Sequence, residues 1–165
     1  MIKEKSALRA VRLRRFLAAL AGIAIVVAGS EIKRAVEQSM ATLVKPATIP
    51  IAAPPQAKSG IFLVVSVRAY TPPRRGAIEA VVTLATGRGI EQDVGGFSIF
   101  PNEPFAVADA RQERAFRLDA TAALAALKSK GDTLLVSVRL ASAGPSITSD
   151  AASLSVGRVS FYPRP

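Results

Sequence analysis

A chain of 165 residues with no cysteine and no histidine excludes disulfides, thiol nucleophiles, thiolate metal sites and every form of imidazole chemistry. Half the residues are hydrophobic but only 5% are aromatic, so the expected core is aliphatic. The net charge of +10 is concentrated at the start: residues 1–60 carry ten basic and three acidic side chains, residues 61–165 twelve and nine. A nucleic-acid-binding domain carries its charge on a folded face, so no nucleic-acid partner is expected.

The chain opens with "MIKEKSALRAVRLRR", six basic residues and one acid, followed by the uncharged run "FLAALAGIAIVVAG" over residues 16–29. A basic lead before an apolar stretch matches the first two regions of a secretory signal. Phe16, Leu17, Leu20, Ile23, Ile25, Val26 and Val27 form its apolar body. Fourteen residues fall short of the roughly 20 needed for a full span, which favours a cleaved signal, with Ala28-Gly29-Ser30 as the cleavage signature. In "EIKRAVEQSMATLV", Ile32, Val36 and Leu43 lie near helical spacing, and this pattern would extend one helix from the membrane to Val44. Both outcomes stay open, anchor or cleaved signal. In each, the basic lead stays cytoplasmic and the remainder is extracytoplasmic: periplasmic on an inner-membrane tether, or secreted.

Residues 45–60, "KPATIPIAAPPQAKSG", hold four prolines and read as a semi-extended linker between the N-terminal segment, residues 1–44, and a folded domain, residues 61–165. From Ile61 the pattern turns to period two and β-branched residues. "IFLVVSVRAY" is a strand and "TPPRRG" a turn; "AIEAVVTLAT" is a second strand with Ile78, Val82 and Leu84 on one face. "VGGFSIF" is a third, with Phe97 and Ile99 on one face and Pro101 as its stop, and a long polar loop follows. "AFRLD" is a short strand leading into the helix "ATAALAALKSK", for which Asp119 is the N-cap and Gly131 the C-terminal glycine. "DTLLVSVRLA" turns Leu134, Val136, Val138 and Leu140 one way. In "SLSVGRVSFY", a bulge at Gly157 would return Val159 and Phe161 to the face of Leu154 and Val156. Six strands and one short helix predict a mainly-β domain, an antiparallel β-sandwich or jelly-roll-like barrel, behind an N-terminal membrane or signal helix.

The candidate sites are few. Arg74 and Arg75 in "TPPRRG" could engage an anionic group or lipid phosphate, against the plainer reading of a solvated turn. Glu91, Asp93, Glu103 and Asp109 are too sparse for a calcium loop, and Ser129-Lys130 is better explained by a helix end than by a Ser-Lys hydrolase. Tyr70 and Tyr162 read as sheet-edge packing. No nucleophile, base and orienting group come together, so no enzyme, metal or cofactor is expected.

The order "VGGFSIFP", "FRLDATAALAAL", "GDTLLVSVRL", "SVGRVSFY" resembles the C-terminal β-domain of tyrosinases and polyphenol oxidases, over about residues 61–162. In that family a strand of the form G-x-F-x-x-x-P precedes a short strand, a leucine-bearing helix, a Gly-Asp turn and two further strands. The resemblance implies a cover domain that packs over a two-copper catalytic domain held by six histidines. That catalytic domain is missing here, and no copper ligand carries over. The family's plug residue sits on a loop of this domain, and Phe105 is the bulky apolar residue in the corresponding loop. The resemblance implies protein-protein contact with a partner such as a tyrosinase-like copper oxidase. The reading that stands against it is an envelope-structural or anionic-ligand-binding β-sandwich.

Overall fold

The computed structural model describes residues 39–54, 60–128, 133–142 and 152–164, all within a unit spanning Gln38–Pro165. Two antiparallel sheets pack face to face. The first contains β1 (Met40–Thr42), β3 (Ile61–Thr71), β6 (Phe105–Ala106), β7 (Arg114–Asp119) and β9 (Ser153–Pro163). Its order is β1-β9-β3, with β6 and β7 lying end to end along the far side of β3. The second has the order β2-β8-β4-β5, from β2 (Ala47–Ala52), β8 (Thr133–Ser142), β4 (Ile78–Thr86) and β5 (Glu91–Phe97).

Period-two patterning explains the layers, because alternate residues of a strand face opposite ways. Leu63, Val65 and Val67 of β3, with Leu154 and Val156 of β9, face Ile78, Ala80, Val82 and Leu84 of β4 and Leu134, Val136, Val138 and Leu140 of β8, and all are buried. One side of the sandwich is closed by stacked rings from the two sheets, Phe97 and Phe116, with centroids 4.1 Å apart and planes 14° from parallel. On the other side a tight turn carries the chain from β1 to β2. Thr42 N donates to Lys45 O at 2.7 Å, and Lys45 N to Thr42 Oγ1 at 3.0 Å.

The first strands differ from the expected linker and juxtamembrane helix. Met40–Thr42 is an edge strand on β9, and Ala47–Ala52 pairs with β8 from Ala47↔Val138 to Ala52↔Thr133. Proline is excluded only from central strands, and β2 is an edge, so Pro50 needs no partner for a missing N–H. Alternation supplied the rest: Ala47 is buried, with Ile49 and Ile51 packed on the core. The third predicted strand ends earlier than expected, at Phe97, although Ile99 is still buried.

The helix α1 (Thr121–Leu127) seats Ala123 and Leu127 against the core, with Leu124 half-buried. The N-cap is Ala120 rather than the expected Asp119, and no side chain caps it; Asp119, one residue earlier, accepts from Thr121 N at 2.9 Å. The helix closes at Lys128, in the left-handed region at φ 50°, rather than at the expected Gly131, which lies outside the described residues.

The bulge expected at Gly157 is present. Val65 pairs with Val159 but Val67 with Val156, so β9 spends one extra residue there, and β3 spends one at Arg68 before Ala69 meets Ser155. Leu154 and Val156 face the core before the break, and Val159 and Phe161 pack on it afterwards. A Cβ at Gly157 would collide with the Glu113 carboxylate. Gly157→Ala is therefore expected to cost about 1–3 kcal/mol in urea unfolding, as overpacking does. Gly87→Ala, where a Cβ meets nothing within 4 Å, should change stability by less than about 0.5 kcal/mol.

Candidate functional site

Two places carry chemistry: the end of the sandwich at the close of β3, and the bulge between β3 and β9. The first gathers the sequence-predicted residues. Arg74 and Arg75 are exposed in the six-residue connection from β3 to β4, while Pro73 beside them is buried. β5 ends level with the start of β4, through Ala80↔Phe97, so the segment after it rises to the same end. Phe105 is there too, paired with Tyr70 one residue before β3 stops. The structure thus brings Arg74, Arg75 and Phe105 to one end.

Phe105 differs from its predicted setting. It stands in a short strand, half-buried, and its ring closes the core instead of projecting. The Tyr70 ring lies 6.3 Å away, and the Arg114 guanidinium sits 4.0 Å over its face. Arg114 Nη1 is buried without a hydrogen-bond partner, and the aromatic face supplies part of the compensation. Tyr70, expected at a sheet edge, is 3% exposed, and burial pushes its phenol pKa up. Tyr162 is 49% exposed.

The side chain that does project is Phe100, 91% exposed. Its neighbours hold the loop down: Ile99 is 7% exposed, and Tyr70 donates its hydroxyl to Asn102 Oδ1 at 2.6 Å. Tyr70, Ile78, Ile99 and Leu154 meet beneath it around a dimple too small to hold a water molecule. Val44, 93% exposed in the turn after β1, reaches the same end, since Thr42 pairs with Ser153 and Ser153 with Thr71. The sequence held a signal for Phe100. If Phe97 and Ile99 share the inner face, Phe100 falls on the outer one.

The second place was not foreseen. The Glu113 side chain is 4% exposed, beneath the bulge. Ser66 Oγ donates to its Oε2 at 2.6 Å, and Arg68 Nε donates to its Oε1 at 3.0 Å. Ser66 Oγ in turn accepts from Arg158 N at 2.8 Å, satisfying an amide that the bulge takes off the ladder. Burial pushes the Glu113 carboxyl up, but the hydrogen bonds from Ser66 and Arg68 and the charges of Arg68 and Arg158 outweigh it and hold the pKa below the ordinary value. Alternation in "ARQERAF" places Glu113 on the outer face with Ala115 and Arg117. Its burial depends on partners 45 and 47 residues away, which no local pattern reveals.

Three further acids make local bonds. Glu91 Oε1 accepts from Thr83 Oγ1 at 2.5 Å, Asp93 Oδ1 from Gly95 N at 3.1 Å, and Asp109 Oδ1 from Arg111 N at 2.9 Å. Among the described residues, no three acidic side chains gather as a metal ion would require. No described helix is long and apolar enough to cross a membrane. The predicted membrane segment (Phe16, Leu17, Leu20, Ile23, Ile25, Val26, Val27) and the Ser129-Lys130 pair lie outside the described residues. No protein-family model matches the chain, and no curated protein matches it.

A carboxylate whose pKa is depressed by folding stabilises the fold fully above its unfolded pKa and loses that contribution as pH falls through the folded value. Urea unfolding from pH 7 down to pH 3 should therefore show a steeper loss of stability for the native chain than for Glu113→Gln. Equal slopes would mean that the carboxylate is not held ionised.

Proposed function

We propose that this chain is a non-catalytic, exported contact domain. Residues 16–29 either anchor it in the inner membrane or direct its release after cleavage. Its loop end docks by protein-protein contact on a partner such as a tyrosinase-like copper oxidase. The action is steric: the docked face excludes substrate and water from the partner's site.

The observation that carries this reading is Phe100. Exposing a phenylalanine ring is costly, since burying it is worth about 1.5–3 kcal/mol. Here the ring stands on a loop fixed by a buried isoleucine and a tyrosine hydrogen bond, so the exposure is not a floppy accident. An aromatic presented on a pinned loop suits the role of an anchor residue at an interface. The element order of the cover-domain family, from β5 through β7, α1 and β8 to β9, supports the choice of partner class. Within that resemblance the projecting role passes from Phe105 to Phe100. A stable complex needs burial of about 1,200–2,000 Å² in total, more than Phe100 and Val44 alone provide, so the arginine loop must join the contact.

Arg74 and Arg75 favour a second reading, an envelope domain that binds an anionic ligand or lipid headgroup at this same end. Both are exposed, and neither has a hydrogen bond or ion pair among the described residues.

One experiment separates the two. The full chain in mild detergent is used to capture the host's copper oxidases, and its binding to anionic vesicles is measured in parallel. Phe100→Ala should weaken oxidase capture about 30-fold, the loss of about 2 kcal/mol typical of an anchor, without moving the melting temperature. Failure to capture any copper oxidase overturns the first reading. Vesicle binding lost in Arg74→Ala/Arg75→Ala would establish the second.

A further inference from the structure

The outer face of the first sheet is a built array of arginines. Residues directly paired across antiparallel strands share a face. With Leu63, Val65 and Val67 inside, Phe62, Val64, Ser66 and Arg68 point outward. Their partners follow: Asp119 and Tyr162 flank Phe62, and Arg117 and Ser160 flank Val64. Arg158 is exposed at the bulge beside Ser66, while Ser155 and Ser153 continue the outer side of β9. Beyond the last row, the Arg164 guanidinium lies 5.7 Å over the Phe62 ring and 3.9 Å from Asp119 Oδ2.

Four guanidinium groups thus share the face with two carboxylates, and both carboxylates are committed. Glu113 is buried against Ser66 and Arg68, and Asp119 accepts from Thr121 N. Arg117 and Arg158 remain exposed, and neither makes an ion pair within 4 Å among the described residues, although the Arg158 charge acts on Glu113. Successive outward rows repeat at about 6.8 Å, two residues of an extended strand. The bulge contributes directly: it turns Arg158 out on the opposite side of β3 from Arg117, which flanks Val64, and bulges commonly re-aim a side chain in this way.

We propose that this face binds an extended acidic polysaccharide, a chain of uronic acid units. The guanidinium groups take the carboxylates through paired hydrogen bonds, which a planar fork does better than an ammonium group. The outward serines offer hydroxyl partners to the sugar oxygens, and the Tyr162 ring offers a flat surface to sugar C–H groups. Other anionic polymers fit less well. The exposed apolar side chains of this face, Met40 beside Ser155 and Tyr162 beside Phe62, stand far apart along β9 and form no single tip for a bilayer. A nucleic-acid strand needs successive stacking rings, and here Arg164 already covers Phe62, which leaves Tyr162 alone. This surface is separate from the loop end, so its failure would leave the oxidase-contact reading intact.

The test is calorimetric titration of the full chain in mild detergent with polygalacturonate, beside poly(dT), polyglutamate and anionic vesicles. Polygalacturonate should bind most tightly, with affinity that falls as salt rises. Arg117→Ala/Arg158→Ala should weaken it at least about tenfold, Arg117→Lys/Arg158→Lys less, and Tyr162→Ala about threefold, consistent with one or two charge-assisted contacts and one ring contact. Arg74→Ala/Arg75→Ala and Phe100→Ala should leave it unchanged. Unchanged melting temperatures keep these losses assigned to binding; if Arg117→Ala/Arg158→Ala unfolds, the Lys pair and Tyr162→Ala decide. No binding of polygalacturonate overturns the proposal. Equal or tighter binding of any of the other three does so too, as does a loss caused by the Arg74/Arg75 pair.

Discussion

The structure depends on a buried carboxylate under a broken ladder. Glu113, almost without solvent exposure, is held by Ser66 and Arg68, while Ser66 also takes the amide of Arg158 that the bulge leaves over. Burying an ion costs several kcal/mol unless every lone pair finds a donor, and an apolar replacement is often more stable. What this cluster offers in return is register. Side chains alternate with period two, so an uninterrupted β9 could place Leu154 and Val156 in the core or Val159 and Phe161, but not both pairs. The extra residue at Gly157 lets both pairs face inward. Glycine suits this position because the carboxylate occupies the space a Cβ would take, and a side chain there would push it off Ser66 and Arg68.

The same device shapes the outer surface. Once β9 has shifted, Arg158 stands outward on the opposite side of β3 from Arg117, and the carboxylate that neutralises Arg68 is hidden against Gly157. At the loop end a different economy operates. Tyr70, Phe105 and Arg114 close the core with ring-to-ring and cation-to-ring contacts, and Asn102 pins the loop above them. That closure leaves Phe100 as the projecting group. One end therefore exposes Phe100 with two arginines nearby, and the outer face of the first sheet exposes Arg117 and Arg158. Each of these exposed groups follows from how the core is closed.

Much of this was legible in the sequence because most strands alternate cleanly. Leu134, Val136, Val138 and Leu140 were assigned to one inner face and are all buried there, and the break at Gly157 could be inferred from the change of parity on either side of it. The second strand is hidden because proline composition outweighs alternation in "KPATIPIAA", where an edge position makes Pro50 harmless; the first, Met40–Thr42, ends a stretch whose Ile32, Val36 and Leu43 spacing reads as helix. In Phe105 the bulk is legible from sequence and the burial is not. Its pairing with Tyr70 and its cover from Arg114 are tertiary facts. Glu113 was passed over for the same reason, since its partners come from β3.

The most direct test of this account is the register of β9 against β3, read from cross-strand nuclear Overhauser contacts in the full chain. The account predicts contacts for both Val67 with Val156 and Val65 with Val159, together with a slowly exchanging Arg158 amide. A continuous register, in which Val67–Val156 is accompanied by Val65–Arg158, would contradict it.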